Sequence, residues 1–536
     1  MSAKYSILPV LAAMMMTAAH AQETYQSANL ATSDLNGTAR YVGMGGAMEA
    51  LGADISTISS NPAGVGMFRK AQISISGGGI FQSGESNMVY DGNTTMRFSG
   101  DKNHASFDQI GAVLPLRVGS KSFLNVGFNY HKSRNFDQLL TACNILNKAS
   151  QNKLSAIKYD LVGDWAWNGV DACYQDLLES QADDGTKYLG YYEGNPIGSS
   201  YCFGKYQNGY IGEYDLNLSG AIGDRVYLGV TVGIHDVNYK SDSYYNETLW
   251  TGKGSGSLSE GIGKEYRVGC DESLRIDGTG YDVKFGAIFF PVDGSPFRVG
   301  AYIHTPVFYD LSMAGGVTVR MHGDEEGDAS ASHGATYDYR VNTPWKFGVS
   351  LGHTVNNVLA LGATYEYADY GSIDNRIIDG GYYDSFYGDA YETSSSDEVM
   401  NAHTERTLKG VHTLKLGAEF RPLPVLALRA GYNYVSAAYD ENGFRDGSLE
   451  SPGVGYATST DYTNWKATNR FTLGLGWQAT KKLNIDVAYQ HSKTDGVFYP
   501  FMSYVDNADP NMDNVAYGTD VSHKRHQLLA TLSYRF

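Results

Sequence analysis

The chain has 536 residues, 42% hydrophobic and 18% charged, with 63 Gly against 13 Pro, which is not the composition of a disordered Pro/Gly linker. Its formal charge of −17 excludes a nucleic-acid binder, which needs clustered Lys and Arg. Beyond the N-terminal segment no apolar run reaches the roughly 18–20 residues of a spanning helix, and the 41 Tyr suit surfaces with one apolar and one wet side.

Lys4 supplies a basic n-region, Ile7 to Ala19 an apolar h-region, and Ala19-His20-Ala21 a small-residue cleavage site. Residues 1–21 therefore read as a signal peptide and Gln22 as the first mature residue. Export places Cys143, Cys173, Cys202 and Cys270 in an oxidising compartment. Two disulfides in any of three connectivities are open to them. No pair has C-x-x-C spacing, so a metal site built on them is not expected.

Residues 22–68 break the pattern of the rest. Gly43, Gly45 and Gly46 form a permissive stretch, Ala47 to Ile58 looks helical, and Asn61-Pro62-Ala63-Gly64 fits a type I turn, with Pro at i+1 and Gly at i+3. A dinucleotide-binding glycine loop does not fit, because no hydrophobic strand precedes the glycines.

From about residue 69 the apolar positions alternate with period two. Val226, Leu228, Val230, Val232 and Ile234 form one such face; Leu483, Ile485, Val487 and Tyr489 form another. Fourteen strands are expected, near 69–82, 106–117, 121–132, 210–221, 226–239, 277–290, 297–313, 337–353, 358–371, 409–421, 425–438, 467–479, 483–494 and 522–536. Short and long connections between them alternate strictly, which puts all tight turns on one side and all long loops on the other. That is the pattern of a transmembrane antiparallel β-barrel, all-β in class, with an even strand count. A sheet can cross lipid only when it closes and leaves no edge. Asn125, Lys415, Glu419, Arg429 and Asp486 should face a polar lumen, while Tyr130, Tyr432, Tyr434, Trp477 and Tyr489 suit interfacial girdles. The final strand alternates Leu528, Ala530, Leu532, Tyr534 and Phe536, a terminal pattern resembling the signal that barrel assembly machinery reads. The loop 133–209 is expected to carry helices, over Phe136–Tyr159 and Trp165–Leu178.

The stretch Gly37-Thr38-Ala39-Arg40 through Ala47, followed by Asn61-Pro62-Ala63-Gly64, resembles the N-terminal hatch of the FadL-type transporters of long-chain fatty acids and aromatic hydrocarbons. The resemblance implies a barrel over 69–536 plugged by a hatch over 22–68. It also implies a monomeric, passive uptake channel in the outer membrane of a diderm bacterium, surrounded by membrane lipid and lipopolysaccharide. In that family a hydrophobic ligand passes from the external loops to a lumen pocket and leaves sideways beside a kinked third strand. Carried over, Gln22, Glu23 and Thr24 would lie near the pocket, Asn61 to Gly64 would hold the hatch turn, and Gly127 is the candidate strand-three kink.

No catalytic residues are expected: there is no G-x-S-x-G, and no cofactor or metal motif stands out. The acidic stretches Asp324 to Asp328 and Asp374 to Glu398 read as solvated loop charge. His235, His304, His353 and His412 lie on strands and leave open a second reading, a receptor for haem or another apolar nutrient on the same barrel.

Overall fold

The computed structural model describes residues 23–536 except 85–87, 91–94, 98–101, 120–121, 163–167, 180–196, 224, 252–263, 324–326, 357, 385–388, 456 and 507–509. The signal segment, Gln22, Trp165 and Asp324 to Glu326 lie outside the described residues.

Fourteen antiparallel strands close into a barrel. They are β1 (Gln72–Ser83), β2 (Asn103–Arg117), β3 (Phe123–Asn135), β4 (Ile197–Ile222), β5 (Val226–Thr251) and β6 (Lys264–Phe289). Then come β7 (Arg298–His304 with Phe308–Gly323) and β8 (Gly327–Asn342 with Lys346–Val355), each interrupted at a proline, Pro306 or Pro344. A residue without an N–H cannot donate to a ladder. The last six are β9 (Leu359–Asp369), β10 (Gly410–Leu423), β11 (Leu426–Val435), β12 (Tyr462–Gln478), β13 (Leu483–Tyr499) and β14 (Thr519–Arg535). Closure is made by β1 on β14, from Gln72 opposite Arg535 to Ser83 opposite Lys524. The Phe536 amide then donates to the Ala71 carbonyl at 3.0 Å.

Alternation sorts the two faces. On β4, Leu216 and Leu218 are exposed on the outside while Asp215, Asn217 and Ser219 are buried within. Leu114, Val126, Phe128, Leu228, Leu351, Leu416, Leu473, Leu475 and Leu528 continue the exposed apolar belt around the barrel. Such a belt on a closed sheet is the surface that lipid covers.

Several segments depart from the sequence reading. Gln138–Lys148, expected as helix, is a strand paired with the outer half of β4. Helices follow it, α3 (Gln151–Val162) and α4 (Gly169–Glu179), after α1 (Thr24–Ala31) and α2 (Ala39–Gly43) nearer the N-terminus. The start of α3 is fixed by Glu247, whose carboxylate accepts from the Gln151 and Asn152 amides at 3.0 and 3.3 Å, at the helix end that favours negative charge. Ala47 to Ile58 is mostly turns, ending in one 3₁₀ turn, Ile55–Ile58. The acidic stretch after Asp374 is a hairpin (Asp374–Asp384 with Asp389–Ser396) followed by α5 (Glu398–Thr407). Within it Asp374 is held by Arg376 at 2.8 Å and Ser396 at 2.7 Å, so this charge is engaged rather than loosely solvated.

Residues 23–68 run through the barrel lumen. Part of their contact with the wall is backbone on backbone. Gly45 (φ +63°) and Gly46 (φ +80°) take left-handed conformations, and a Cβ on Gly45 would lie 2.8 Å from the Tyr432 amide nitrogen. The wall answers with glycines of its own: side chains at Gly417 and Gly431 would collide with Met44 and Gly45. The lumen side chains named from sequence face inward as expected and serve this packing. Asn125 donates to the Val65 and Phe68 carbonyls at 2.6 and 3.0 Å. Lys415 meets Glu49 at 2.8 Å, and Glu419 meets Arg40 at 3.0 Å and Arg429 at 2.7 Å. Arg429 in turn reaches Asp486 at 2.6 Å.

Cys143 and Cys202 form a disulfide between the 138–148 strand and β4, while Cys173 and Cys270 are not bridged. Peptide mapping of the exported protein should find the 143–202 linkage and two alkylatable thiols after unfolding; a bridged Cys173 would contradict this arrangement. Gly431→Leu should lift the hatch turn at Met44–Gly45. The expected result is a severalfold rise in single-channel conductance in a planar bilayer, with the folded, heat-modifiable band retained.

Candidate functional site

A cavity of about 390 Å³ lies between the hatch and the wall. Its apolar side is built by Leu30 of α1 together with Phe136, Ile211, Tyr239, Leu274 and Tyr309. These wall residues come from period-two positions on β4 to β7 and from the residue just after β3. The rest of the lining mixes apolar, neutral polar and charged residues, Arg134, Arg470 and Arg525 among the charged ones. A site with a large apolar patch and a few convergent polar groups suits a small amphiphile.

The sequence-predicted residues divide between different roles. Glu23 lines the cavity, accepts from the Tyr25 and Gln26 amides at 2.9 and 3.2 Å, and lies 3.5 Å from Arg445. Thr24 faces elsewhere: it is fully buried against α5, with its hydroxyl 2.8 Å from that of Thr404. Asn61 caps the 3₁₀ turn Pro62–Met67 by accepting from the Ala63 amide at 3.2 Å, and donates to the Glu49 carbonyl at 3.1 Å. The Gly64 amide closes the turn on the Asn61 carbonyl at 2.9 Å. Gly43 lies against Gly474 of β12, where a Cβ would come within 3.1 Å of the glycine Cα.

Gly127 sits in uninterrupted pairing with Val113 of β2 and Asn217 of β4, with no register shift at that point. A Cβ on it would lie 2.9 Å from Ile58 Cδ1, and its small size makes room for the hatch. The irregularity of β3 falls further along, where the register with β4 shifts between Lys132 and Arg134.

That irregularity matters because β2 and β3 also stop pairing at Gln109 opposite His131, although both strands continue beyond it. Hatch residues occupy the divergence. The Asn36 side-chain amide donates to Asp108 Oδ1 and to the Lys132 carbonyl, each at 3.1 Å. The Asp34 amide donates to the Ser133 carbonyl at 2.7 Å, and the Asp34 carboxylate accepts from the Asn135 amide at 3.0 Å. Three arginines converge on that carboxylate: Arg134 and Arg525 at 3.3 Å and Arg470 at 3.5 Å. Sequence reading missed this group because its members come from the hatch, β3, β12 and β14 and share no local motif.

Burial opposes ionisation of Asp34, but Arg525, Arg134 and Arg470 outweigh it and hold the carboxyl well below the usual carboxylate range. A depressed folded-state value means the anchor is at full strength above the ordinary Asp pKa of about 3.9. It is lost only as pH falls through the lower value.

No family model matches the chain, and no curated protein matches it. Among solved structures it is similar to the toluene transporter TbuX of Ralstonia pickettii, at 14% identity over 94% of this chain and 99% of that one, with a TM-score of 0.48. It is similar to a FadL homologue of Pseudomonas aeruginosa at 14% identity with the same coverages and a TM-score of 0.46. The toluene transporter TodX of P. putida gives 13% identity, again with those coverages, and a TM-score of 0.45.

Hydrogen exchange of the backbone amides over 29–38 should be unchanged between pH 8 and pH 5 after correction for intrinsic rates. Asp34→Asn should speed it at least tenfold throughout, since Arg134 and the buried Arg470 and Arg525 then lose their anion.

Proposed function

We propose that the chain is an outer-membrane uptake channel for hydrophobic small molecules, taking them from the loop side into the lumen cavity and releasing them sideways between β2 and β3. The observation that carries this reading is the divergence of those strands beyond Gln109 and His131, closed by Asn36 and opening on the cavity that Asn36, Ser133 and Phe136 line. The mature N-terminal segment, Glu23 included, serves as one wall of the pocket, and Asn61 to Gly64 anchor the hatch so that only its upstream part moves.

Physical chemistry favours a lateral exit. Each buried CH₂ gains about 0.8 kcal/mol over water, so an acyl or aromatic ligand that left through the turn side would forfeit that gain. It would also have to displace hatch backbone packed directly on wall glycines. An opening in the barrel wall passes the ligand from cavity to bilayer without a wet intermediate, and a downhill gradient suffices to drive it. The apolar patch beside arginines suits a ligand with an anionic head and an apolar tail, such as a long-chain fatty acid. The second reading, a haem receptor, is favoured by the histidines beside the cavity, His131, His235 and His304.

The test uses the folded barrel in detergent and in cells. A fluorescent long-chain fatty acid should bind saturably and haemin weakly; the reverse would transfer the function to haem. In a background with the four native cysteines replaced by serine, Asn36→Cys with Asp108→Cys should cross-link the hatch to β2. Uptake should fall at least tenfold and recover on reduction. Full uptake by the cross-linked protein would reject the lateral route.

A further inference from the structure

Inside the wall, beside the cavity, β3 to β6 bring together His131, Glu213, Asp215, His235, Asp282 and Lys284, all nine-tenths or more buried. The three carboxylates meet one ammonium among the described residues. Lys284 Nζ bonds Glu213 Oε1, lies 2.9 Å from Asp215 Oδ1 and 3.3 Å from Asp282 Oδ1. With neutral imidazoles the cluster therefore carries two uncompensated negative charges out of water, which costs several kcal/mol per ion unless a counter-charge is present.

The free atoms show where the counter-charge belongs. Lys284 takes the Oε1 and Oδ1 oxygens, leaving Glu213 Oε2 and Asp215 Oδ2, and these stand 3.7 Å from His131 Nε2 and 3.7 Å from His131 Nδ1. Asp215 Oδ2 is buried with no hydrogen-bond partner among the described residues, and so is His235 Nδ1. His235 Nε2 lies 3.2 Å from Asp282 Oδ1. A proton on that nitrogen leaves the Nδ1 lone pair facing Glu213 Oε2 at 4.0 Å, acceptor against acceptor. A cation among His131, Glu213 Oε2 and Asp215 Oδ2 partners the free carboxylate oxygens and takes Glu213 Oε2 out of the opposition to His235 Nδ1.

We propose that the cluster binds one divalent transition-metal ion of the zinc class, held by one nitrogen of His131, Glu213 Oε2 and Asp215 Oδ2. One ligand atom from each residue lies within 4.8 Å of the others. Metal–ligand bonds of about 2.0–2.2 Å bring such a set onto one ion with small side-chain rotations. Mixed imidazole and carboxylate donors select zinc and its neighbours over calcium or magnesium, which prefer oxygen alone. Lys284 holds the second oxygen of both carboxylates and so orients them, as outer partners do around metal ligands. The ion would tie β3 to β4 two residues before the β3 irregularity. The charge argument stands whatever ligand the channel carries.

The alternatives that balance the cluster without a metal are protonation of both His131 and His235 or of a carboxylate such as Asp215, whose Oδ2 is buried without a partner among the described residues, and the experiment separates these from a bound ion. The full-length folded barrel, stripped with chelator, is titrated with Zn²⁺ in a His526→Gln background. That substitution removes the half-exposed His491–His526 pair, whose rings lie 4.7 Å apart and offer a competing site. The expected result is one tight equivalent of Zn²⁺, weakened at least tenfold by His131→Gln in a barrel that keeps its heat-modifiable band. No tight equivalent, or one that His131→Gln leaves unchanged, would overturn the site. If His131→Gln does not fold, X-ray absorption of the zinc-loaded parent decides: imidazole scattering with carboxylate oxygens supports the site, and an oxygen-only shell rejects it. Nitrogen-15 spectra of the protein supplied with Zn²⁺ that show His131 and His235 doubly protonated at neutral pH would also reject it.

Discussion

The structure depends on one requirement: the hatch is mostly irregular chain, and its polar backbone is buried inside a closed sheet. α2 spans only Ala39–Gly43, and the rest of 39–68 is turns and 3₁₀ pieces, so few of its carbonyls are satisfied locally. Buried backbone groups without partners are costly, and the wall supplies them. Ser219 donates to the Pro62 carbonyl at 2.8 Å and Thr231 to the Ile58 carbonyl at 2.9 Å, while the Ala39 amide donates to Thr531 at 2.7 Å. Short polar side chains at lumen positions bring the wall close enough to make these bonds, and glycines at their neighbours let the two backbones touch.

Charge inside the barrel follows a second pattern, in which several buried carboxylates meet counter-ions brought from other elements. Glu49 of the hatch is met by Lys415 of β10, with Thr364 at 2.7 Å and Tyr41 at 3.1 Å completing its shell. Glu419 is met by Arg40, Arg421 and Arg429. Because breaking such a pair strands a charge, these contacts fix register between hatch and wall more than they add stability. Two places depart from balance in opposite directions: Asp34 has an excess of arginine around it, and the Glu213 cluster a deficit of cation. Both border the cavity.

The barrel was legible in the sequence because lipid enforces a period of two on the outer face whatever lies within. Leu216, Leu218, Leu473 and Leu475 show it without exception. The inner face obeys the hatch instead, and its partners are hundreds of residues away: Gly431 against Gly45, Asn125 against Val65, Arg525 against Asp34. No local rule links those positions. The hatch glycines Gly43, Gly45 and Gly46 were visible as a cluster, but not the wall glycines that receive them. Strands were underestimated beyond the membrane, where β4, β5 and β6 each run for 26 residues. There neither face meets lipid and alternation fades, so Gln138–Lys148 reads as part of an amphipathic helix, while pairing with β4 makes it a strand. Gly127 illustrates the ambiguity of a strand glycine, which signals either a bend or close approach; in β3 close approach is what the pairing shows.

The two halves of the residues inside the barrel are held by different forces, and this decides which can move. From Ala39 to Met67 backbone packed on wall glycines is combined with side-chain hydrogen bonds and buried ion pairs such as Arg40–Glu419 and Glu49–Lys415, spread around the wall, so displacing any part opens voids and orphans several bonds together. From Thr32 to Asn36 the chain has no helix, and its ties to the wall are few, polar and clustered at Asp34 and Asn36. Polar ties can be exchanged for others of the same kind, with a ligand's own anionic group or with water, whereas close-packed backbone cannot.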